Sequence, residues 1–363
     1  MTQTDLAAAP QATTFAQLME SAATPPQLGL YRGVLTPRAL DAPAAESAAL
    51  THTVAGHDLG WFKRVAVRGE DRFRWLSGMV TNQVAGLPEN SGAWNMVLNA
   101  QGRIQGALTV WREGDHLELE IDANQYDHLM AHFDRFIIMD DVELVPLEGE
   151  ASLGLTGPKV HEVLERLSLP TLSEPLTLSR IEWNGINLRI ARLYGVLAEH
   201  YVLSAPEALL GKLWLYLRAA GAIAVGSQVL DAFRIAEGIP AYGIDMVERD
   251  LPQETSQMRA LHFNKGCYLG QEIVERIHSR GNVHRHLRHL EWTGALPAAG
   301  TELHLETGAV AGQIRSAAEL PLPEGSRVFA LAMMRAEAEV GEPRLNSASG
   351  TGTARLLAAP PAF

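Results

Sequence analysis

From Trp61 onward, the alternation of apolar and polar positions divides the chain into short strands and helices. Arg64-Val65-Ala66-Val67-Arg68 reads as a strand, and after Gly69 the stripe Phe73, Leu76 and Val80 reads as a helix. Residues 94–98 and 107–111 are predicted strands, and 116–121 alternates, with Leu117, Leu119 and Ile121 on one face. Behind Asp122, a candidate N-cap, Leu129, Phe133, Phe136 and Ile137 recur at helical spacing before Val142-Glu143-Leu144 returns to strand. After Gly157-Pro158 the residues Val160, Val163, Leu164 and Leu167 predict a helix that admits its proline at an early position. Ser204-Ala205-Pro206-Glu207 has capping-box spacing ahead of Leu209, Leu210, Leu213, Trp214 and Leu217, and Gly221 ends that helix.

The texture changes at both ends. Residues 1–50, broken by Pro10, Pro25, Pro26, Pro37 and Pro43, read as an N-terminal extension that wraps or frays. From residue 287, short runs around Leu290, Trp292, Leu303, Val310, Ile314 and Val328 are separated by Gly and Pro and predict a small all-β domain, 287–363. Between them, 51–286 reads as a mixed α+β core of two subdomains, and the alternation of elements in 61–144 and 153–221 suggests two related halves. The fold class is α+β.

Composition narrows the function. With 363 residues, 47% hydrophobic and 20% charged, the chain has room for more than one core. No run reaches the ~20 apolar residues that span a bilayer, and the first basic residue is Arg32, so no charged secretory start is read. One cysteine, Cys267, excludes an internal disulfide and fits a reducing, cytoplasmic location. Thirty Lys and Arg against 42 Asp and Glu give −12, which argues against broad nucleic-acid or anionic-membrane binding. An anionic ligand therefore needs a local basic patch.

Residues 233–288 are dense in side chains that packing does not require: Arg234, Glu237, Tyr242, Asp245, Gln253, Glu254, Lys265, Cys267, Gln271, Glu272, Arg276 and Arg280. Cys267 sits just ahead of a helical stripe of Ile273, Val274 and Ile277, where the helix dipole and Lys265 both favour a thiolate. The bland reading is a buried small hydrophobe, and the flanking glycines equally serve turn geometry or a close ligand approach. Arg276, His278, Arg280, His284, Arg285, His286, Arg288 and His289 make a basic run. These histidines are not at a recognisable metal-ligand spacing, so no metal site is assigned.

Lys265-Gly266-Cys267-Tyr268-Leu269-Gly270-Gln271-Glu272, continued by Arg276, Arg280-Gly281 and Arg285, resembles the K-G-C-[YF]-x-G-Q-E signature of the YgfZ family. Arg234-Ile235-Ala236-Glu237-Gly238-Ile239-Pro240 with Gly243 and Pro252-Gln253-Glu254 resembles the segment that YgfZ shares with the glycine-cleavage T-protein, GcvT. The resemblance covers residues 55–290. It implies a cloverleaf around a channel for tetrahydrofolate, a C-terminal β-barrel, and a part in the assembly or repair of iron–sulfur enzymes, the expected partners. It also implies Cys267 as a functional thiol, with Lys265, Gln271 and Glu272 around it. Ligand contacts are expected at Glu199, Arg234, Tyr242, Arg276 and Arg280, with the anionic tail near Arg234 or the Arg276 and Arg280 pair.

Two departures bear on activity. T-proteins resemble one another in a Gly-Gly-x-x-Asp-Asp stretch whose acid activates aminomethyl transfer; here Gln101-Gly102-Arg103-Ile104-Gln105-Gly106 lacks both carboxylates. In their Gly-Glu-x-Gly stretch a glutamate pairs with the pterin, and Leu197-Ala198-Glu199-His200 keeps a glutamate one place off. The leading reading is a folate-binding iron–sulfur maturation factor. The alternatives are a folate-dependent aminomethyltransferase and a thiol-based redox or metal-binding adaptor.

Overall fold

The computed structural model describes residues 9–363 except 23, 115, 282, 340–343 and 349. The N-terminal segment holds α1 (Thr14–Glu20), a hairpin of β1 (Leu28–Tyr31) and β2 (Val34–Pro37), α2 (Pro43–His52) and β3 (Ala55–Asp58). Within 9–50 the extension therefore wraps. Phe15 of α1 packs edge-on against Trp214, and Tyr31 packs edge-on against Trp61.

The next two stretches repeat one plan. The first runs β4 (Phe62–Arg68), α3 (Arg72–Met79), β5 (Ser91–Leu98), β6 (Ile104–Glu113), β7 (His116–Asp122), α4 (Ala123–Asp134) and β8 (Glu143–Leu147). The second runs β9 (Glu150–Gly157), α5 (Val160–Arg166), β10 (Thr177–Trp183), β11 (Ile186–Leu193), β12 (Glu199–Pro206), α6 (Leu210–Ala219) and β13 (Ile223–Val225). All these strands join one 11-stranded sheet in the order β13-β3-β9-β12-β11-β10-β5-β6-β7-β4-β8. Each half places its three-strand meander next to its own first strand, so the suspected two halves are present. The second half differs by accepting β3 between β9 and β13. At the seam, β10 and β5 share a single registered pair, Thr177 with Ser91.

Alternation explains the layers. Leu117, Leu119 and Ile121 of β7 join Val65, Val67, Leu108 and Val110 against Trp75, Leu76, Leu129 and Phe133 of α3 and α4. Leu153, Leu155, Leu188 and Ile190 meet α5 and α6 in the same way. The opposite faces share a third core, in which Met96, Trp111 and Ala191 meet Phe233 of α7 (Ser227–Ala236) and Phe329 and Leu331 of the C-terminal domain.

That domain is a closed six-strand barrel, ordered β14-β17-β16-β15-β18-β19. Its strands are β14 (Arg285–Gly294), β15 (Glu302–Leu305), β16 (Val310–Leu320), β17 (Arg327–Arg335), β18 (Leu345–Ser347) and β19 (Gly352–Leu356). The preceding helix is α8 (Gln271–Arg280). Among the described residues no helix is long and apolar enough to cross a membrane.

Two predicted caps are corrected. Asp122 stands at the N-cap of α4 but makes no capping bond, because its carboxylate accepts from Arg32 Nη1 at 2.7 Å. Ser204 lies inside β12, bonded to Ser152 at 2.8 Å, and a 3-10 turn at Glu207–Leu209 starts α6 instead. Gly221, with φ +109°, does end that helix.

Candidate functional site

A cavity opens at the seam. Trp94, Leu108 and Thr109 of the first half face Leu193 and Tyr194 of the second, and Phe233 of α7 closes one wall. Tyr31 and Arg32 of the hairpin also line it, so the N-terminal segment is part of the site. Tyr31, Trp61, Phe62, Trp94, Tyr194, Phe233 and Tyr242 give the otherwise mostly aliphatic walls flat faces, which suit a heterocycle.

Arg259, in the 3-10 turn Met258–Ala260, lines the cavity. Its guanidinium lies 3.8 Å from the Tyr194 ring centroid and 4.7 Å from that of Trp94. Its Nε donates to Gln257 at 3.1 Å, and among the described residues no carboxylate forms an ion pair with it. Burial lowers it to about 10, against the attraction of Tyr194 and Glu237. A cation held between two rings without a counter-ion is prepared for an anionic group.

Arg234, by contrast, is paired with carboxylates through Nε and Nη1, while its Nη2 is buried and has no hydrogen-bond partner among the described residues. It lines the cavity but pairs with Asp231 at 2.8 Å and Asp245 at 2.6 Å, and donates to the Ile239 carbonyl at 3.0 Å. Tyr242 lines the cavity as expected, and burial raises its hydroxyl to about 12. Arg276 and Arg280, on α8, are not among the lining residues; Arg276 borders a small separate cleft with Arg103 and His284.

Glu199 is corrected by strand geometry. Successive residues of β12 point to opposite faces, and Glu199 falls on the α5 side, bonded to His161 at 2.7 Å and Arg192 at 2.6 Å. His200 takes the cavity position. Its Nε2 meets the Glu237 carboxylate at 2.9 Å, and that carboxylate also accepts from the backbone of Val196 (3.0 Å) and Leu197 (2.9 Å). Burial pushes Glu237 up, but His200 and these N–H groups outweigh it and hold it below the usual range. Thr156 joins His200 to His57, at 3.0 and 2.9 Å.

The cysteine segment forms a loop ahead of α8. Lys265 Nζ donates to the carbonyls of Ser77, Val80 and Asn82 at 2.7, 2.7 and 2.8 Å, tying off the end of α3. Burial alone would lower this amine to about 8; the three acceptors favour the ammonium and oppose that shift. Tyr268 is buried, and Gly270 turns at φ +81°, where a Cβ would come within 2.6 Å of the Asn99 carbonyl. Gln271 Oε1 accepts from the Tyr268 N–H at 3.3 Å, and Glu272 is exposed in the first turn of α8. Cys267 is exposed and does not line the seam cavity.

Over residues 13–265 the chain matches the GCVT N-terminal domain. It belongs to that family. Three relatives calibrate the distance of this GCVT-family chain. The tRNA-modifying protein YgfZ of Cronobacter sakazakii is 24% identical over 302 residues, 80% of this chain and 88% of that one. An aminomethyltransferase of Thermoanaerobacter pseudethanolicus is 22% identical over 260 residues, 69% and 71% of the two chains. A chloroplastic protein of Arabidopsis thaliana is 25% identical over 239 residues, a match spanning 63% of this chain but only 54% of that protein. In structure, the glycine cleavage system aminomethyltransferase T of Bartonella henselae superposes with TM-score 0.85 at 18% identity, covering 96% of this chain and 97% of that one. The fold is thus GcvT-like, with the expected mixed sheet and C-terminal barrel.

Sequence reasoning passed over Arg259, His57, His200 and Glu120, all of which line the cavity. Arg259 carried one usable signal, its place between Pro252-Gln253-Glu254 and Lys265.

Proposed function

We propose that the chain binds a reduced folate in the seam cavity and serves the assembly or repair of iron–sulfur proteins without performing aminomethyl transfer itself. The observation that carries the folate reading is Arg259, a largely buried guanidinium over the rings of Trp94 and Tyr194 with no carboxylate partner among the described residues. A folate offers a flat ring for the aromatic faces and carboxylates for that guanidinium. The cysteine segment, which resembles the YgfZ signature, supports the maturation role. Iron–sulfur enzymes or their assembly proteins are the partners this reading requires.

Aminomethyl transfer is the second reading, favoured by the aminomethyltransferase relatives. The β6 strand speaks against it. Gln105 is buried, with its amide donating to the Ile104 carbonyl at 3.2 Å, and the neighbour facing the cavity is Ala107. That strand brings no acid to the ligand.

Calorimetric titration with 5-formyltetrahydrofolate tests the binding. Arg259→Ala is expected to weaken it by about tenfold or more, the loss of a ligand–charge bond of roughly 1.5–3 kcal/mol. Absence of both heat and thermal shift at millimolar ligand removes the folate reading. For the cellular role, a deletion strain should lose activity of iron–sulfur enzymes and regain it with the wild-type chain.

A further inference from the structure

Seven charged side chains from the two halves of the sheet meet beside the cavity. Arg64 of β4, Glu113 of β6, and Glu118 and Glu120 of β7 come from one half; Glu150 of β9, Arg180 of β10 and Arg189 of β11 come from the other. Arg64 clasps Glu118 with Nε and Nη2, at 2.6 and 2.7 Å, and also pairs with Glu150. The two oxygens of Glu113 accept from Arg189 Nε (2.6 Å) and Arg180 Nε (2.5 Å). Arg189, 0% exposed, lies over the Trp111 ring at 5.0 Å, and its Nη1 and Nη2 have no hydrogen-bond partner among the described residues.

Glu150 (31% exposed) and Arg180 (46% exposed) reach solvent, which leaves three carboxylates, Glu113, Glu118 and Glu120, against two guanidiniums, Arg64 and Arg189, in the buried part; one of these carboxyls must keep a proton for that part to be neutral, and neutrality is strongly favoured in a buried site. Glu120 is the odd member. It is 5% exposed, and among the described residues the only guanidinium nitrogen within ion-pair range is Arg189 Nη1, at 3.8 Å. Of the seven it alone lines the cavity.

We propose that Glu120 carries the cluster's exchangeable proton into the cavity and is the group that holds the ligand's heterocycle, so that binding a ring with adjacent N–H donors displaces this proton to solvent. The inference rests on the folate reading of the cavity. Glu120–COOH loses its proton to bulk water, and the resulting carboxylate accepts two N–H bonds from the ring. Burial raises Glu120 to about 7, with Arg189 pulling it down, Glu118 pushing it up and Arg64 pulling it down. The other groups around it are fixed in different ways. Thr109 stands opposite on β6, Asp122 is tied to Arg32, Arg234 to Asp231 and Asp245, and His200 to Glu237. Burial holds His57 down at about 4.

Titrating 5-formyltetrahydrofolate by calorimetry at several pH values, in buffers of different ionisation enthalpy, tests this. With the ionised form as the competent one, its fraction rises from roughly 0.1 at pH 6 to roughly 0.9 at pH 8, so binding should tighten about tenfold across that range. About half a proton should be released per ligand at pH 7. The proton count uses the wild-type protein alone. Glu120→Gln, shaped like the neutral acid, should bind more weakly with no pH dependence and no proton release. Equal wild-type affinity from pH 6 to pH 8 without proton release overturns this inference and leaves the folate reading standing. A pH dependence that survives in Glu120→Gln belongs to another group and also overturns it. Failure of the wild type to bind at every pH removes both.

Discussion

Replacing Lys265 by methionine keeps the unbranched apolar stem of the side chain, one atom shorter, and deletes the ammonium that ties the cysteine loop to the end of α3. Three main-chain carbonyls lose their donor, those of Ser77, Val80 and Asn82. Hydrogen bonds from a charged donor contribute roughly 1.5–3 kcal/mol each, so the three together hold about 4–9 kcal/mol gross. Against this, burying the ammonium costs about 3 kcal/mol, the equivalent of the fall from 10.5 to about 8 that burial alone would cause. The expected net destabilisation is about 3 kcal/mol. For 363 residues the unfolding entropy is roughly 0.8 kcal/mol/K, so Tm should fall by about 4 °C. Differential scanning calorimetry reads the global change, and amide hydrogen exchange should speed up in 77–82 and 262–270 while the barrel is unaffected. An unchanged Tm and unchanged exchange, together with loss of folate binding, would refute the strut and make Lys265 a ligand group.

Two further outcomes are expected. Cys267→Ser should shift stability by less than about 0.5 kcal/mol, because the thiol is exposed; the native thiol should alkylate with iodoacetamide without unfolding, and resistance to the reagent until denaturation would contradict its exposure. His57, pinned between Thr156 and the Asp58 carbonyl, is held down at about 4 by burial, so the unfolded chain binds its proton first as pH falls. Stability should therefore be lost from about pH 6.5 down to about pH 4, by up to ~3 kcal/mol for this group. Asp58, raised to about 6 by burial, has the opposite slope, so the measurement is the difference between wild type and His57→Gln in urea melts; parallel pH profiles would deny His57 the role.

Residues 116–122 show how far the chain can be read in advance. Leu117, Leu119 and Ile121 identify the face that meets α3 and α4, and by alternation they set Glu118 and Glu120 on the other face. A period of two marks that face as polar. It does not reveal that the face is buried, because burial there depends on Arg189, from the other half of the sheet, coming across the seam. Glu199 illustrates the same limit from the opposite side: it was expected at a ligand contact, but one residue of offset turns it to α5 and gives the cavity to His200. The Lys265–Glu272 run was legible because its spacing is local, while the partners that make Lys265 a strut lie more than 180 residues earlier. The barrel, whose strands are short and punctuated by Gly and Pro, was legible from texture alone.

The position of β3 has a consequence for how the chain can assemble. Ala55 pairs with Thr156 and with Ile223, about 100 and 170 residues downstream, so the second half cannot close its sheet until a strand made before the first half has been threaded into it. During synthesis at ~5–20 residues per second, β3 waits many seconds for β9 and longer for β13. Contacts of such sequence separation are slow to form. The first half, with β4 paired directly to β7 and β8, can complete its sheet in the meantime. Folding order is thereby biased from the first half to the second, and a chain begun at residue 61 would leave β9 with an open edge where β3 belongs.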